Sequence, residues 1–139
     1  VLKSVNNSMQ DVYVKEFVKL ASSARADTGI ELPASVEHYV VCLLAVHVDK
    51  PDFLPHSTFG ESLLTMKPST AKLLGDTCLF VTSVFPEYGI NERYYTDIGR
   101  TAYTSIDREL FQVIGVHFDT VKTFTRSVVR GNHPKLIFD

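Results

Sequence analysis

Apolar positions along this chain recur at three- and four-residue steps, the spacing that stacks side chains on one face of an α-helix. The first such stretch carries Val14, Phe17, Val18 and Ala21, with Lys15, Glu16 and Lys19 turned to water. A helix is predicted to begin there at Ser8, with Asp11 three positions on as a weak capping box. It frays through SSARADTGIE, where Gly29 supplies the stop. Leu32-Pro33 opens a second helix, in which Val36, Tyr39, Val40, Leu43, Leu44 and His47 repeat at helical spacing. Val41, Cys42 and Val46 make its opposite side apolar as well. A helix apolar all round is buried all round, so this one is predicted to run through the centre of the fold. Its β-branched residues leave a strand as the competing reading, and its length favours the helix.

The proline-bearing segment DKPDFLPHST reads as a loop, and FGESLLTM as a short helix after it. From Lys72 to Ile106 the pattern becomes most regular. Pro68 suits a helix start, where its missing N–H costs nothing. Leu73, Leu74, Thr77, Phe80, Val81, Val84 and Phe85 then share one side. Pro86 ends the helix, because the residue before a proline avoids the α region, and Gly89 suits the reversal. Asn91 is the next N-cap, with Glu92 complementing the helix dipole. Tyr95, Ile98, Gly99, Ala102, Tyr103 and Ile106 form the following face. A mid-helix glycine costs about 1 kcal/mol against alanine, so a neighbour is predicted to approach closely over Gly99 and Ala102. The last helix starts near Ser105 or Asp107 and carries Leu110, Phe111, Ile114, Phe118, Val121 and Phe124 or Thr125. It continues to Val128, with Gly131 as C-cap and Pro134 beyond. The tail NHPKLIFD has no periodicity. With no repeat and no long linker, the pattern predicts one all-α domain over residues 1–139, its core spanning roughly 8–131. The architecture expected is a bundle of about five or six helices around a central buried helix.

Composition narrows the function classes. A hydrophobic fraction of 45% and a charged fraction of 22% are those of a globular protein and argue against disorder. A net charge of −2 carries no basic footprint, so no nucleic-acid partner is expected. No apolar run approaches the ~20 residues that span a bilayer, so no membrane span is expected. The opening VLKSVNNSMQ has neither the apolar core of a secretory signal nor an initiator Met, which leads to the expectation of a trimmed or processed chain. Cys42 and Cys78 fall within apolar helical stretches and read as buried thiols in a reducing compartment. A disulfide requires Cα atoms ~4.4–6.8 Å apart, which sequence alone does not decide.

Five histidines raise the question of metal. His38 and His47 point about 180° apart on one helix, and His47, Asp49 and His56 converge only if the proline loop folds back. No HxxxH, HExxH or CxxC spacing occurs, so no metal is expected. His117, beside Phe118, reads as a partly buried polar residue. No GxSxG, Walker or GxGxxG motif is present, so no cofactor is expected, and neither cysteine has an evident base. No catalytic residue is assigned. The candidate ligand-binding or structural polar cluster is Asp76, Asp97, Arg100, Tyr95 and Tyr103. Asp97 and Arg100 are spaced to pair along their helix. Asp76, facing Arg100 or the hydroxyls of Tyr94, Tyr95 or Tyr103, would make a semi-buried network. The simpler role for that network is to fix how two helices register. Lys122, Arg126 and Arg130 form a basic stripe that complements a helix C-terminus or docks an acidic partner. Together with Tyr88, Arg93 and Tyr94 they make up the candidate interface, since aromatic residues are enriched at interfaces.

The segments ELPASVEHYVVCLLAVHV, LLGDTCLFVTSVFPEYG and YYTDIGRTAYTSI resemble a family of small bacterial helical proteins with no assigned activity. The resemblance covers roughly residues 32 to 124. It is carried by Gly75-Asp76, Phe85-Pro86-Glu87, Tyr94-Tyr95, Asp97, Gly99-Arg100 and Ala102-Tyr103. Ser83-Val84 departs from the small-residue step of that pattern. The resemblance implies a helical fold and a bacterial cytoplasmic setting but no reaction. The leading expectation is a non-enzymatic helical interaction or adaptor protein whose partner is another protein or a second copy of itself. A bacterial assembly or secretion chaperone is a variant of it, by analogy. The alternative is an enzyme or small-ligand-binding protein that uses the polar cluster between helices.

Overall fold

A computed structural model describes residues 2–47, 68–85 and 91–130. The described residues form an all-α helical bundle of six helices: α1 (Leu2–Thr28), α2 (Ala34–Val46), α3 (Pro68–Val84), α4 (Glu92–Thr104), α5 (Glu109–Val116) and α6 (Phe118–Arg130). The expected loop at 49–58, the short helix at 59–66, Gly89, Gly131, Pro134 and the tail lie outside the described residues. The chain divides into two compact units, Val1–Pro51 with Phe124–Asp139, and Asp52–Thr123.

In the first unit α1 runs longer than the sequence predicts, starting at Leu2 rather than Ser8 and holding its form to Thr28 rather than fraying. It ends where expected, because Gly29 adopts a φ of 70° that a side chain would resist. The Gly29 N–H donates to the Arg25 carbonyl at 3.0 Å, and the Thr28 hydroxyl donates to the Ala24 carbonyl at 2.7 Å. The buried face of α1 is narrower than predicted. Phe17, Ala21 and Ala24 are buried, whereas Val18 is 50% exposed because it sits about 100° around the helix from Phe17. The Pro33 carbonyl opens α2 by accepting the N–H groups of Val36 and Glu37, each at 3.0 Å. Arg25 grips the Glu37 carboxylate with Nη1, 2.6 Å from Oε1, and ties the end of α1 to the start of α2. That hydrogen bond, and then the Glu37 charge, push the Arg25 guanidinium up from its ordinary value.

The all-round burial predicted for α2 belongs instead to α3. His38 on α2 is exposed and Val46 is 40% exposed, while every residue of α3 from Leu74 to Val84 is buried. Two threonines make this tolerable by turning their hydroxyls back on the helix. Thr77 donates to the Leu73 carbonyl and Thr82 to the Cys78 carbonyl, both at 2.8 Å. The pattern placed Thr77 on the buried side of α3 but not the burial all round, because Thr82 and Asp76 score as polar while their side chains find partners inside.

Around α3 the second unit is close-packed. Ile98, Gly99, Ala102, Tyr103 and Ile106 of the α4 face are buried as predicted, and Tyr95 is half-buried. Asn91 occupies the N-cap position of α4 but makes no side-chain capping bond. At Gly99 an added Cβ would stand 2.7 Å from Phe118 Cε2 and 2.9 Å from Cys78 Cβ, so the expected close approach is made there. The predicted last helix is broken in two at His117, where φ is −103° and ψ is 30°. His117 itself is exposed rather than partly buried. The break lets two contacts coexist. Gly115 presses on Thr104, where a Cβ would come within 2.5 Å of Cγ2, and Phe118 seats against Gly99. A straight helix carries its side chains round at a fixed rate, so a turn at His117 re-aims Phe118 independently of Gly115. The Gln112 amide closes the corner by donating to the carbonyls of Thr104 at 2.6 Å and Ile106 at 2.8 Å.

Replacing Gly99 by leucine forces a large side chain into space already held by Phe118 and Cys78. We expect Gly99→Leu to cost about 1–3 kcal/mol, the usual penalty for overpacking. Urea unfolding reads this directly, and an unchanged midpoint would contradict the packing at Gly99.

Candidate functional site

The polar residues picked out by the sequence separate into two environments. One is closed. Asp76 of α3 is 5% exposed and Tyr103 of α4 is wholly buried. The Tyr103 hydroxyl donates to Asp76 Oδ1 at 2.7 Å, and Lys72 Nζ, one turn back along α3, donates to Oδ2 at 3.1 Å. Tyr103 lies so near α3 that a Cβ on Gly75 would meet its ring at 2.8 Å. The same ring stacks on Phe111, with centroids 5.9 Å apart and planes 9° from parallel, and tilts against Phe118 at 6.1 Å. A carboxylate so placed reads the position of one helix from another. Of the two alternatives for Asp76, the tyrosine hydroxyl is the partner and Arg100 is not.

The other environment is open. Arg100 reaches from α4 to Asp119 of α6, Nη2 to Oδ2 at 2.8 Å, instead of pairing along its own helix with Asp97. Lys122, also on α6, is 8% exposed. Its ammonium meets Asp119 Oδ1 at 3.2 Å, Glu92 Oε1 at 3.3 Å and Thr96 Oγ1 at 3.1 Å. Burial of so strong a charge requires such partners, and two carboxylates with a hydroxyl supply them. The four ionic groups line an open groove of about 360 Å³ between α4 and the first turns of α6. Burial works against ionisation of Asp119, but the hydrogen bond and charge of Lys122, followed by those of Arg100, outweigh it and hold the carboxyl below its ordinary value. Arg93, Asp97 and Thr96 also line this groove.

The remaining candidates are scattered. Tyr94 is exposed, and its ring meets that of half-buried Tyr95 edge-on at 5.5 Å, on the first turn of α4 beside exposed Arg93. Tyr88 lies outside the described residues. The basic stripe does not form as one surface, because Lys122 is buried among acids while Arg130 is exposed. Arg126 is half-buried, and burial, then the charge of Arg130, lower its pKa. Both cysteines are free thiols. Burial pushes Cys78 up to about 12, so it stays protonated and unreactive at neutral pH. Cys42 does have an imidazole neighbour, His38 Nε2 at 3.5 Å, which the four-residue spacing of HYVVC contains. Burial raises the Cys42 thiol pKa nonetheless, the wrong direction for a nucleophile. Among the described residues no three of His, Cys, Asp and Glu gather to hold a metal ion. Asp49 and His56 lie outside them. No described helix is long and apolar enough to cross a membrane.

Sequence reasoning did not select Glu92, Thr96 and Asp119 for the groove, nor Lys72 for Asp76. Lys72 and Asp76 are one helical turn apart, and Asp119 and Lys122 are three residues apart, so half of each contact was open to reading. The bond from Arg100 to Asp119 depends on the break at His117 and carries no local signal. No protein-family model, curated protein or solved structure matches the chain.

Two measurements follow from this geometry. Tyr103→Phe leaves the buried Asp76 carboxylate without its hydroxyl donor and is expected to cost about 1.5–3 kcal/mol, the scale of a hydrogen bond to a charged group. Combined with Asp76→Asn it should cost less than the sum, because the contact can be lost only once, and additivity in a double-mutant cycle would deny the coupling.

Asp119 sets a pH dependence whose sign is fixed. Its folded pKa lies below the ordinary 3.8, so the stability it contributes is complete above that value and is lost as pH falls through the folded pKa. We expect Asp119→Asn to lower the melting temperature at pH 7 by more than at about pH 3, because the contribution of the carboxylate shrinks once pH falls below 3.8. A gap of equal size at both pH values would assign the effect to shape rather than charge.

Proposed function

We propose that this chain is a non-enzymatic helical interaction protein that engages another protein through the outer face of α4. The observation that carries this reading is the pairing of exposed Arg93 with Tyr94, 49% exposed, on the first turn of α4 at the mouth of the charged groove. Tyrosine and arginine dominate the energetics of protein contacts, because each brings a large rigid surface together with a polar handle. The interior chemistry supports the same reading from the other side. Asp76 is occupied by Tyr103, and Cys78 is pushed up to about 12, which removes two of the groups an enzyme would use.

Within this reading, the resemblance of residues 32 to 124 to small bacterial helical proteins points to a bacterial cytoplasmic protein. A slightly acidic helical chain of this size, at net charge −2, suits an assembly or secretion chaperone. A small-ligand reading is favoured separately by the groove and is taken up below.

A photo-crosslinking residue placed at Tyr94, and a control at exposed Val12 on α1, tests the docking face in cells that express the protein. The expected result is a discrete crosslinked species from position 94 that is lost with Arg93→Glu and is not formed from position 12. Equal crosslinking from both positions, or a position-94 product insensitive to Arg93→Glu, would remove the assignment.

A further inference from the structure

Six charged side chains line the groove between α4 and the first turns of α6, and they are not equivalent. Four are locked to one another: Arg100 to Asp119, and Lys122 to both Asp119 and Glu92. The other two are Arg93 and Asp97. Among the described residues neither the Arg93 guanidinium nor the Asp97 carboxylate has a hydrogen-bond or ion-pair partner; the Thr101 hydroxyl donates at 2.8 Å to the Asp97 backbone carbonyl, not to its side chain. Residues four apart on a helix have Cβ atoms about 5–6 Å apart. The groove wall therefore carries one uncommitted positive and one uncommitted negative group about a helical turn from each other, over a floor whose charges pair with one another while the buried Arg100 Nε has no hydrogen-bond partner.

This arrangement selects against singly charged ligands. An anion drawn to Arg93 meets Asp97 and Glu92, and a cation drawn to Asp97 meets Arg93 and Arg100. A molecule with both charges is attracted at both ends, and like-charge contacts are avoided only when its two groups match the spacing of the pair. The volume of about 360 Å³ suits an amino-acid-sized compound, at the small end of ligand pockets. We propose that the groove binds a small zwitterion carrying a carboxylate and an ammonium group about one helical turn apart, with Arg93 taking the carboxylate and Asp97 the ammonium. This site shares Arg93 with the protein-docking face but rests on Asp97 and the groove volume as well, and Asp97→Asn together with small-molecule binding tells its failure from a failure of crosslinking at Tyr94.

The test uses the whole chain and three probes matched in length. Amide NMR spectra are followed during titration with 6-aminohexanoate, hexanoate and hexylamine at constant ionic strength. The expected result is saturable shifts from 6-aminohexanoate in residues 92–100 and 119–122, with the singly charged probes far weaker. Arg93→Gln and Asp97→Asn are each expected to weaken binding about three- to five-fold, the scale of a partly exposed ion pair, and a double variant should remove it. Both side chains are exposed, so the variants are expected to fold. Equal binding of hexanoate or hexylamine would reduce the site to a charged patch and overturn the proposal. So would the absence of shifts, shifts elsewhere, or variants that bind like the parent. If the same amides shift with protein concentration alone, a second copy of the chain occupies the groove and the zwitterion assignment fails.

Discussion

Tyr103 lies against the backbone of Gly75 and sets its hydroxyl on Asp76, and much of the second unit is arranged to permit this. The ring needs a glycine on α3, because a Cβ there would overlap it. The hydroxyl needs a buried acceptor, and Asp76 supplies it while Lys72, one turn earlier on the same helix, donates to its second oxygen. Phe111 covers the other face of the ring, and Phe118 leans on its edge. Phe118 opens α6 directly after the turn at His117, so its aim depends on that turn. A single polar contact thus demands a glycine, a lysine, two phenylalanines and a break in the chain, which is how a buried polar group specifies one arrangement over its near neighbours.

The groove obeys a different rule. There the charges are numerous, partly wet and balanced against one another, so no one of them is indispensable in the way Tyr103 is. Lys122 is the exception, being buried and dependent on Glu92, Asp119 and Thr96 together. The two environments are separated by less than two turns of α4, since Thr96 and Arg100 face the groove while Tyr103 faces α3. One helix therefore has a structural side and a side available for recognition, and its alternation of polar and apolar residues is what divides them.

How much of this could be read from the sequence depended on the range of each interaction. Helix existence, the stop at Gly29, the start at Pro68, the cap position of Asn91 and the crowding at Gly99 were all legible, because each follows from local spacing or backbone permissiveness. The burial of α3 all round was not, since Asp76 and Thr82 score as polar yet lie inside, Thr82 with its hydroxyl turned against its own helix. Asp76, Tyr103 and Arg100 were recognised as a cluster, with the Tyr103 hydroxyl among the partners offered to Asp76, but nothing local chose it over Arg100 or pointed Arg100 to Asp119. Tyr103 and Asp76 are 27 residues apart and Arg100 and Asp119 are 19 apart, beyond any helical periodicity. The His117 break was invisible for a related reason: Leu110, Phe111, Ile114, Phe118 and Val121 keep helical spacing straight through it.

The burial of the Lys122 ammonium also sorts the groove by its response to dissolved salt. Ions in solution screen exposed charges within about 8 Å at physiological ionic strength, and reach charges held inside far less. The mesh around Lys122 should therefore keep its shape in brine, while whatever Arg93 and Asp97 attract is released. Seen this way, α4 is a rigid frame carrying an adjustable pair of charges, and the surrounding electrolyte decides how far that pair can reach.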